Sequence, residues 1–324
     1  MSLATQSSGW LGRLGRSTVR PESLVVLVLL MAAMSVLSPY FLSVSNLLNV
    51  LLATATIGIL AIGSTFVICS AGIDLSIGSL LGFSSVVGAV AVHNWGLPWP
   101  TGIVACLIAG TAAGCLNGLL VTGAKIPAFI VTLGMLGIAR GAALLACDGQ
   151  PIYGLPADLV YLGQGRPLGV PTPVIVFLGV AAIAYYVLAH TRFGRYTLVI
   201  GDNEGAARAM GVPVESQRVR LYALSGFLAG VAGLLFMART NAGDPTAGQN
   251  YELAAITAAI IGGTNLFGGR GSIIGTVVGA LIVGVLQNGL NLLAVQAFYQ
   301  QMAIGVVLIA AVWLDHVNRL RPAR

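Results

Sequence analysis

Apolar residues run along this chain in long blocks rather than at the spaced intervals of a soluble amphipathic fold. Ten blocks stand out, at residues 24–42, 47–70, 76–92, 99–122, 127–147, 169–190, 220–239, 251–266, 271–294 and 297–314, divided by short polar segments. A helix needs roughly 20 mainly apolar residues to cross a hydrocarbon core about 30 Å thick. The pattern predicts an all-α, polytopic membrane protein of about ten transmembrane helices, with a membrane domain over 24–316, tails at 1–23 and 317–324, and a long inner loop at 191–219. The third and eighth blocks are short or Gly-interrupted, which marks them as candidates for broken helices; lipid tolerates these only where protein or a cavity covers the freed backbone.

Composition agrees: 57% of residues are hydrophobic and 8% charged, against about 25% charged in a soluble domain. The net charge of +6 raises the question of nucleic acid, and the positions of the basic residues answer it. With the N-terminus inside, thirteen of the sixteen Lys and Arg residues fall on the inner side, and only Arg140, Arg166 and Arg239 lie in the outer half or outside. Inner loops of membrane proteins collect such residues, so both ends are expected in the cytoplasm and no nucleic-acid partner is required. Arg13, Arg16 and Arg20 before an apolar run have the shape of a signal peptide, but no small-residue cleavage site follows, and the run is expected to stay as a first span. The four cysteines show no CxxC spacing and no metal-ligand cluster.

Several activities lack their motifs. Lys125 is the only lysine, so no GxxxxGK[ST] loop exists, and "GGRGSIIG" lacks the preceding strand and following acid of a dinucleotide site. No catalytic residue, metal or cofactor is expected in this chain. None of the ten acids sits at mid-span, which argues against proton- or sodium-coupled transport, where intramembrane acids carry the coupling. Arg140 alone lies well inside an apolar block; it either snorkels or meets Asp148, or else touches a solute.

Glycines recur four apart at Gly78 and Gly82, at Gly110, Gly114 and Gly118, at Gly226 and Gly230, and at Gly271, Gly275 and Gly279. Small residues at that spacing let helices approach closely in lipid. A local echo between Ser76–Val90 and Ser272–Gly284 hints at internal duplication.

Within the inner loop, "DNEGAARAMGVP" reads as a short helix: Asp202 or Asn203 caps it, Glu204 suits its first turn, and Gly211 with Pro213 ends it. Ala206, Ala207 and Met210 are expected to line one apolar face. A helix of about eight residues is marginal in water, where roughly 12 to 15 are needed; it leans either on its own bundle or on a cytoplasmic partner.

"NEGAARAMGV", "AGIDLSIGSLLG" and the run from Thr246 to Leu293 resemble the permease family of ribose- and xylose-type ABC importers, in the same order from about residue 24 to 316. The resemblance implies a passage for a monosaccharide or similar polar solute, separate cytoplasmic ATPase subunits, a periplasmic or extracellular binding protein and a second permease copy. It also implies that Asn203, Glu204, Ala206, Ala207, Met210 and Gly211 belong to a helix that couples to the ATPase. Related permeases carry branched-chain amino acids; a secondary transporter and a scaffold are the other classes.

Further candidates follow from position. Asp74 on an inner turn either caps the helix beginning near Ser76 or serves a gate, and Asn265 and Arg270 occupy a second inner turn at matching depth. Arg239, Asp244 and Glu252 lie on the outer segment where a binding protein would dock. Asn117, Gln287, Asn288 and Asn291 are in-span amides that either line a path or join helices.

Overall fold

A computed structural model describes residues 21–320, with side chains through residue 313. Arg13, Arg16, Arg20, Arg321 and Arg324, and with them most of the expected tails, lie outside the described residues. The helices are α1 (Pro21–Leu37), α2 (Val44–Cys69), α3 (Ile77–Ala89, continued by a π turn at Val90–Asn94), α4 (Trp99–Thr122), α5 (Ala128–Ala146), α6 (Ala157–Gln164), α7 (Thr172–His190), α8 (Arg192–Asp202), α9 (Glu204–Ala209), α10 (Val214–Thr240), α11 (Tyr251–Ile261), α12 (Ile273–Leu292) and α13 (Ala297–Leu320). Two-residue strands, β1 (Ile152–Tyr153) and β2 (Ala242–Gly243), pair antiparallel.

Each expected apolar block contains a helix. Seven are long and apolar enough to cross a membrane among the described residues: α2, α3 with its π turn, α4, α5, α7, α10 and α12. The apolar stretches of α1, α11 and α13 are shorter. Of the two blocks marked as candidates for broken helices, the third is unbroken, its helix running on through a π turn to a spanning length, whereas the eighth keeps only the short helix Tyr251–Ile261.

At the centre, α2, α3 and α10 are buried along most of their length, whereas α4, α5 and α7 turn most of theirs outward. In water such apolar exteriors would be untenable; in lipid they cost nothing, and close packing must hold the bundle together. The glycine ladder of α4 supplies it. A Cβ added at Gly114 would sit 3.0 Å from Gly226 Cα and strike the Tyr222 carbonyl; one at Gly118 would sit 2.7 Å from Val219 Cα. Gly275 and Gly279 bring α12 equally close to α11 at Gly262 and Ala258. The expected pairing through Gly78 and Gly82 is different: those glycines of α3 face the turn at 245–250, Glu252 in the first turn of α11 and Arg140 of α5.

Three elements were not legible as such in the apolar pattern. α8, inside the expected inner loop, is a surface helix whose Thr197 and Ile200 are buried while Arg192 and Arg195 remain outside. α6 folds back over the far end of α10, burying Leu159 against Val92, Cys106, Leu234 and Met237. α10 itself begins at Val214, several residues before the expected 220, so the span continues straight into the loop.

Gly114→Leu should force α4 from α10 and lower the stability of the detergent-solubilised chain by about 1–3 kcal/mol or more. Gly134→Ala, where nothing lies within 4 Å, should leave it unchanged or slightly raised. Thermal unfolding of the two variants, compared with the parent chain, measures the difference.

Candidate functional site

Lys125, Arg192, Arg195, Arg208, Arg218 and Arg270 share one end of the bundle, the basic face, where the 191–219 loop meets the turns at 70–76 and 262–272. The loop is ordered by local chemistry. Asn203, not Asp202, caps α9, its Oδ1 accepting from Ala206 N at 2.9 Å. α9 is six residues long. Arg208 donates to Glu204 at 2.8 Å and to Glu215, and Arg218 donates to Glu204 at 2.6 Å. The Arg208 hydrogen bonds hold both the Glu204 and Glu215 carboxyls below their ordinary range, with Arg218 adding to the pull. Exposed pairs of this kind are screened by solvent and contribute little to stability; they set the loop's shape instead.

The apolar face expected of α9 is split. Ala207 is fully buried against Ile200 and Val214, so it anchors the helix to its own chain and offers nothing to a partner. Ala206 and Gly211 are exposed, and Met210 is 63% exposed. The α-helical phase explains this: Ala207 and Met210 are three apart, but Met210 already lies past the end of α9, where the chain turns away at Gly211 (φ +77°).

Behind α9, the loop is fastened to the bundle. Gln217 on α10 donates to Phe193 O at 3.0 Å and to Thr197 Oγ1 at 3.1 Å, and the Phe193 ring lies 6.0 Å from that of Phe66 on α2. At the end of α8, Gly201 packs directly on backbone: an added Cβ would lie 2.5 Å from Gly269 N and 2.9 Å from Cys69 C. Gly269 N itself donates to Cys69 O at 3.0 Å. Three segments distant in sequence, the end of α2, the end of α8 and the second inner turn, thus meet backbone to backbone at one point, where no side chain would fit.

Asp74 does not point outward. It is 2% exposed; its Oδ1 accepts from Ser76 N at 3.0 Å and Ser76 Oγ at 2.6 Å, and its Oδ2 from Ser225 Oγ at 2.8 Å. Ser76 Oγ in turn accepts from Asn117 Nδ2 at 2.9 Å. The bonds converge on the Asp74 carboxyl group, so α3, α4 and α10 are tied through one buried side chain with three donors. The Asp74 side chain is buried and bridges the entry of α3 to α10. Asn265 shapes its own turn, its Oδ1 accepting from Phe267 N at 2.9 Å, and Arg270 is exposed on the basic face.

The remaining candidates separate. Asn117 belongs to the buried network above. Asn288 pairs reciprocally with Asn46 at 3.0 Å, joining α12 to α2, and Asn291 accepts from Gln300 at 2.8 Å. Gln287 is half-buried on α12. At the opposite end of the bundle, Arg239 lies over the Phe236 ring at 5.4 Å, and Asp244 accepts from Thr246 N and Oγ1 at 2.8 and 2.7 Å. Glu252 is not beside them on a rim: it is half-buried against Gly78 of α3. Asn46, Gln217, Ser225 and Gly201 went unmarked in the sequence, because a single polar or small residue carries no periodic signal, whether in an apolar block, as Ser225 is, or in the segments between blocks, as the other three are.

Asp74→Ala would strand three buried donors and should cost about 1–3 kcal/mol for each group left unpaired. Asp74→Asn, which keeps one acceptor, should cost distinctly less. Thermal unfolding in detergent distinguishes the two, and equal losses would remove the buried carboxylate from its bridging role.

Residues 46–312 match the family model described as a branched-chain amino acid transport system / permease component. A ribose import permease of Escherichia coli strain K12 is 44% identical over 91% of this chain and 93% of its own length. The ribose import permease of Bacillus subtilis strain 168 is 43% identical, covering 89% and 90% of the two chains, and a D-allose transport system permease of Escherichia coli K12 is 37% identical over 90% of each.

Proposed function

This chain belongs to the branched-chain amino acid transport system / permease component family, and from that membership we propose how it works: it is the permease subunit of an ABC importer for a monosaccharide, in a bacterial inner membrane. Its relatives are named for ribose and allose, and the branched-chain amino acid reading is not adopted. ATP hydrolysis belongs to separate cytoplasmic subunits, a binding protein delivers the solute at the far end, and a second copy of the chain completes the passage.

One observation carries the coupling: the exposed Met210 stands beside α9 on a loop whose backbone interlocks with both inner turns at Gly201, Cys69 and Gly269. An ATPase that grips Ala206, Met210 and Gly211 pulls on the ends of α2 and α11 at once. A partner can shift an equilibrium only by contacts that differ between the two states, and a loop fused to the gate turns turns a change of grip into a change of those turns. Glu204, with Arg208 and Arg218, keeps the loop rigid enough to transmit the motion.

Met210→Asp should reduce ATP-driven ribose uptake in reconstituted vesicles by at least about tenfold, the scale of burying an unpaired charge at an interface, while the chain keeps its unfolding temperature. Ala207→Arg should lose both, because the new side chain has no space among Ile200 and Val214. Undiminished uptake with Met210→Asp would refute the docking role.

A further inference from the structure

α7 is among the spans that turn most of their length outward, and the character of its exposed side chains changes in order along it. Ile175, Leu178 and Ile183 are apolar; Tyr186 follows, and His190 ends the helix, all of them exposed. The next exposed side chains after His190 are Arg192 and Arg195 on α8. Along the helix axis Ile175 lies about 22 Å from His190, and Tyr186 about 6 Å from it. Apolar, then amphipathic aromatic, then cationic is the order in which one leaflet presents its acyl chains, its glycerol level and its phosphates.

The corner between α7 and α8 is fixed by one residue. Thr191 donates its hydroxyl to Val187 O at 2.6 Å and accepts from Gly194 N at 3.3 Å, so the end of one helix and the start of the next share a side chain. Gly194 closes the corner from the other side: a Cβ there would lie 2.6 Å from Leu188 Cα. The His190 ring stacks on Tyr186 at 5.5 Å with 13° between the planes, and meets Tyr185 edge-on at 5.7 Å. Beside this stack the two arginines stand without a counter-charge. The loop's acids Glu204 and Glu215 are taken by Arg208 and Arg218, the first turn of α8 holds no acid, and among the described residues neither Arg192 nor Arg195 forms an ion pair. Cations in a first helical turn oppose the helix dipole. Arg195 Nη1 reaches His190 O at 3.5 Å, the limit of a hydrogen bond. Two planar forks suited to bidentate phosphate recognition therefore stand where the apolar exterior of α7 ends.

We infer that Arg192 and Arg195, beside the stacked Tyr186 and His190, form a site for the headgroup of an anionic phospholipid in the leaflet on the side of the basic face. The site concerns the membrane and not the solute, so it stands apart from the identity of the sugar. The guanidiniums take the lipid phosphate, and the Tyr186 ring lies at the glycerol level with its hydroxyl toward the headgroups. Continuity selects a lipid as the occupant: the exposed stripe that leads to the arginines is apolar for three turns, so what carries the negative charge also carries an apolar tail. α8 ends at Gly201, whose backbone meets Gly269 and Cys69, and a bound headgroup thus braces the corner from which the 191–219 loop hangs.

The test uses the full-length chain in a neutral detergent, titrated with phosphatidylglycerol or phosphatidylcholine, with bound lipid counted by native mass spectrometry. Phosphatidylglycerol should be retained and phosphatidylcholine lost. Arg192→Gln combined with Arg195→Gln should weaken phosphatidylglycerol binding about 25-fold, because each basic residue at an anionic surface is worth about a factor of five. Lys125→Gln combined with Arg270→Gln removes the same charge elsewhere on the basic face and should change it by less than about twofold, distant exposed charges being screened. The unfolding temperature of each variant without lipid checks that it is folded; if the first pair does not fold, Arg192→Gln alone should weaken binding about fivefold. Equal losses in the two double variants, undiminished binding in the arginine variants, equal retention of the two lipids, or displacement of phosphatidylglycerol by millimolar inorganic phosphate at constant ionic strength would each overturn the site.

Discussion

Backbone inside a bilayer has no water to bond, and this one constraint organises the molecule. Helices satisfy it internally, and two stretches of this chain do not: the turn at 70–76 and the segment 242–250 leave helical geometry within the bundle. Each survives because protein covers it. The first is held by the Asp74 carboxylate with Ser76 and Ser225, and by the Tyr222 hydroxyl on Ile73 O at 3.1 Å; the second by Arg140 on Pro245 and Ala247. The charged side chains that look expensive in an apolar protein are those that make irregular backbone tolerable there.

Close glycine packing is the complement of that rule. Where α4 meets α10, side chains are absent on both sides, and the helices are locked by contact area. Where α8 meets the end of α2 and the 262–272 turn, the same absence at Gly201 and Gly269 fuses the 191–219 loop to the turns at 70–76 and 262–272. A permease that receives work from outside needs both: a rigid body to move, and a loop that cannot slip relative to it.

Much of this was readable in the sequence, and the parts that were not share a cause. The apolar blocks located the spans because lipid imposes a length and a composition on each; Asn203 and Gly211 located α9 because capping chemistry is local. Side-chain direction was not local. Ala207 and Met210 looked alike on a helical wheel, yet one is buried against Val214 and the other exposed, since the chain turns at Gly211. Gly78 and Gly82 had the spacing of a helix-packing pair, and only the fold reveals that the turn at 245–250, with Glu252 and Arg140, fills that groove. Asp74 and Asn117 were each legible as polar residues in apolar surroundings, but their meeting at Ser76, 41 residues from Asn117, is a property of topology. α8 was missed for the opposite reason: its charged face disguised it as loop.

The account stands on the passage having no energy source of its own. Uptake of ribose into vesicles decides this most directly: the chain reconstituted with ATPase subunits, binding protein and ATP should build a gradient, and the chain alone should build none, with any ion gradient imposed. Accumulation against a gradient by the chain alone would contradict it.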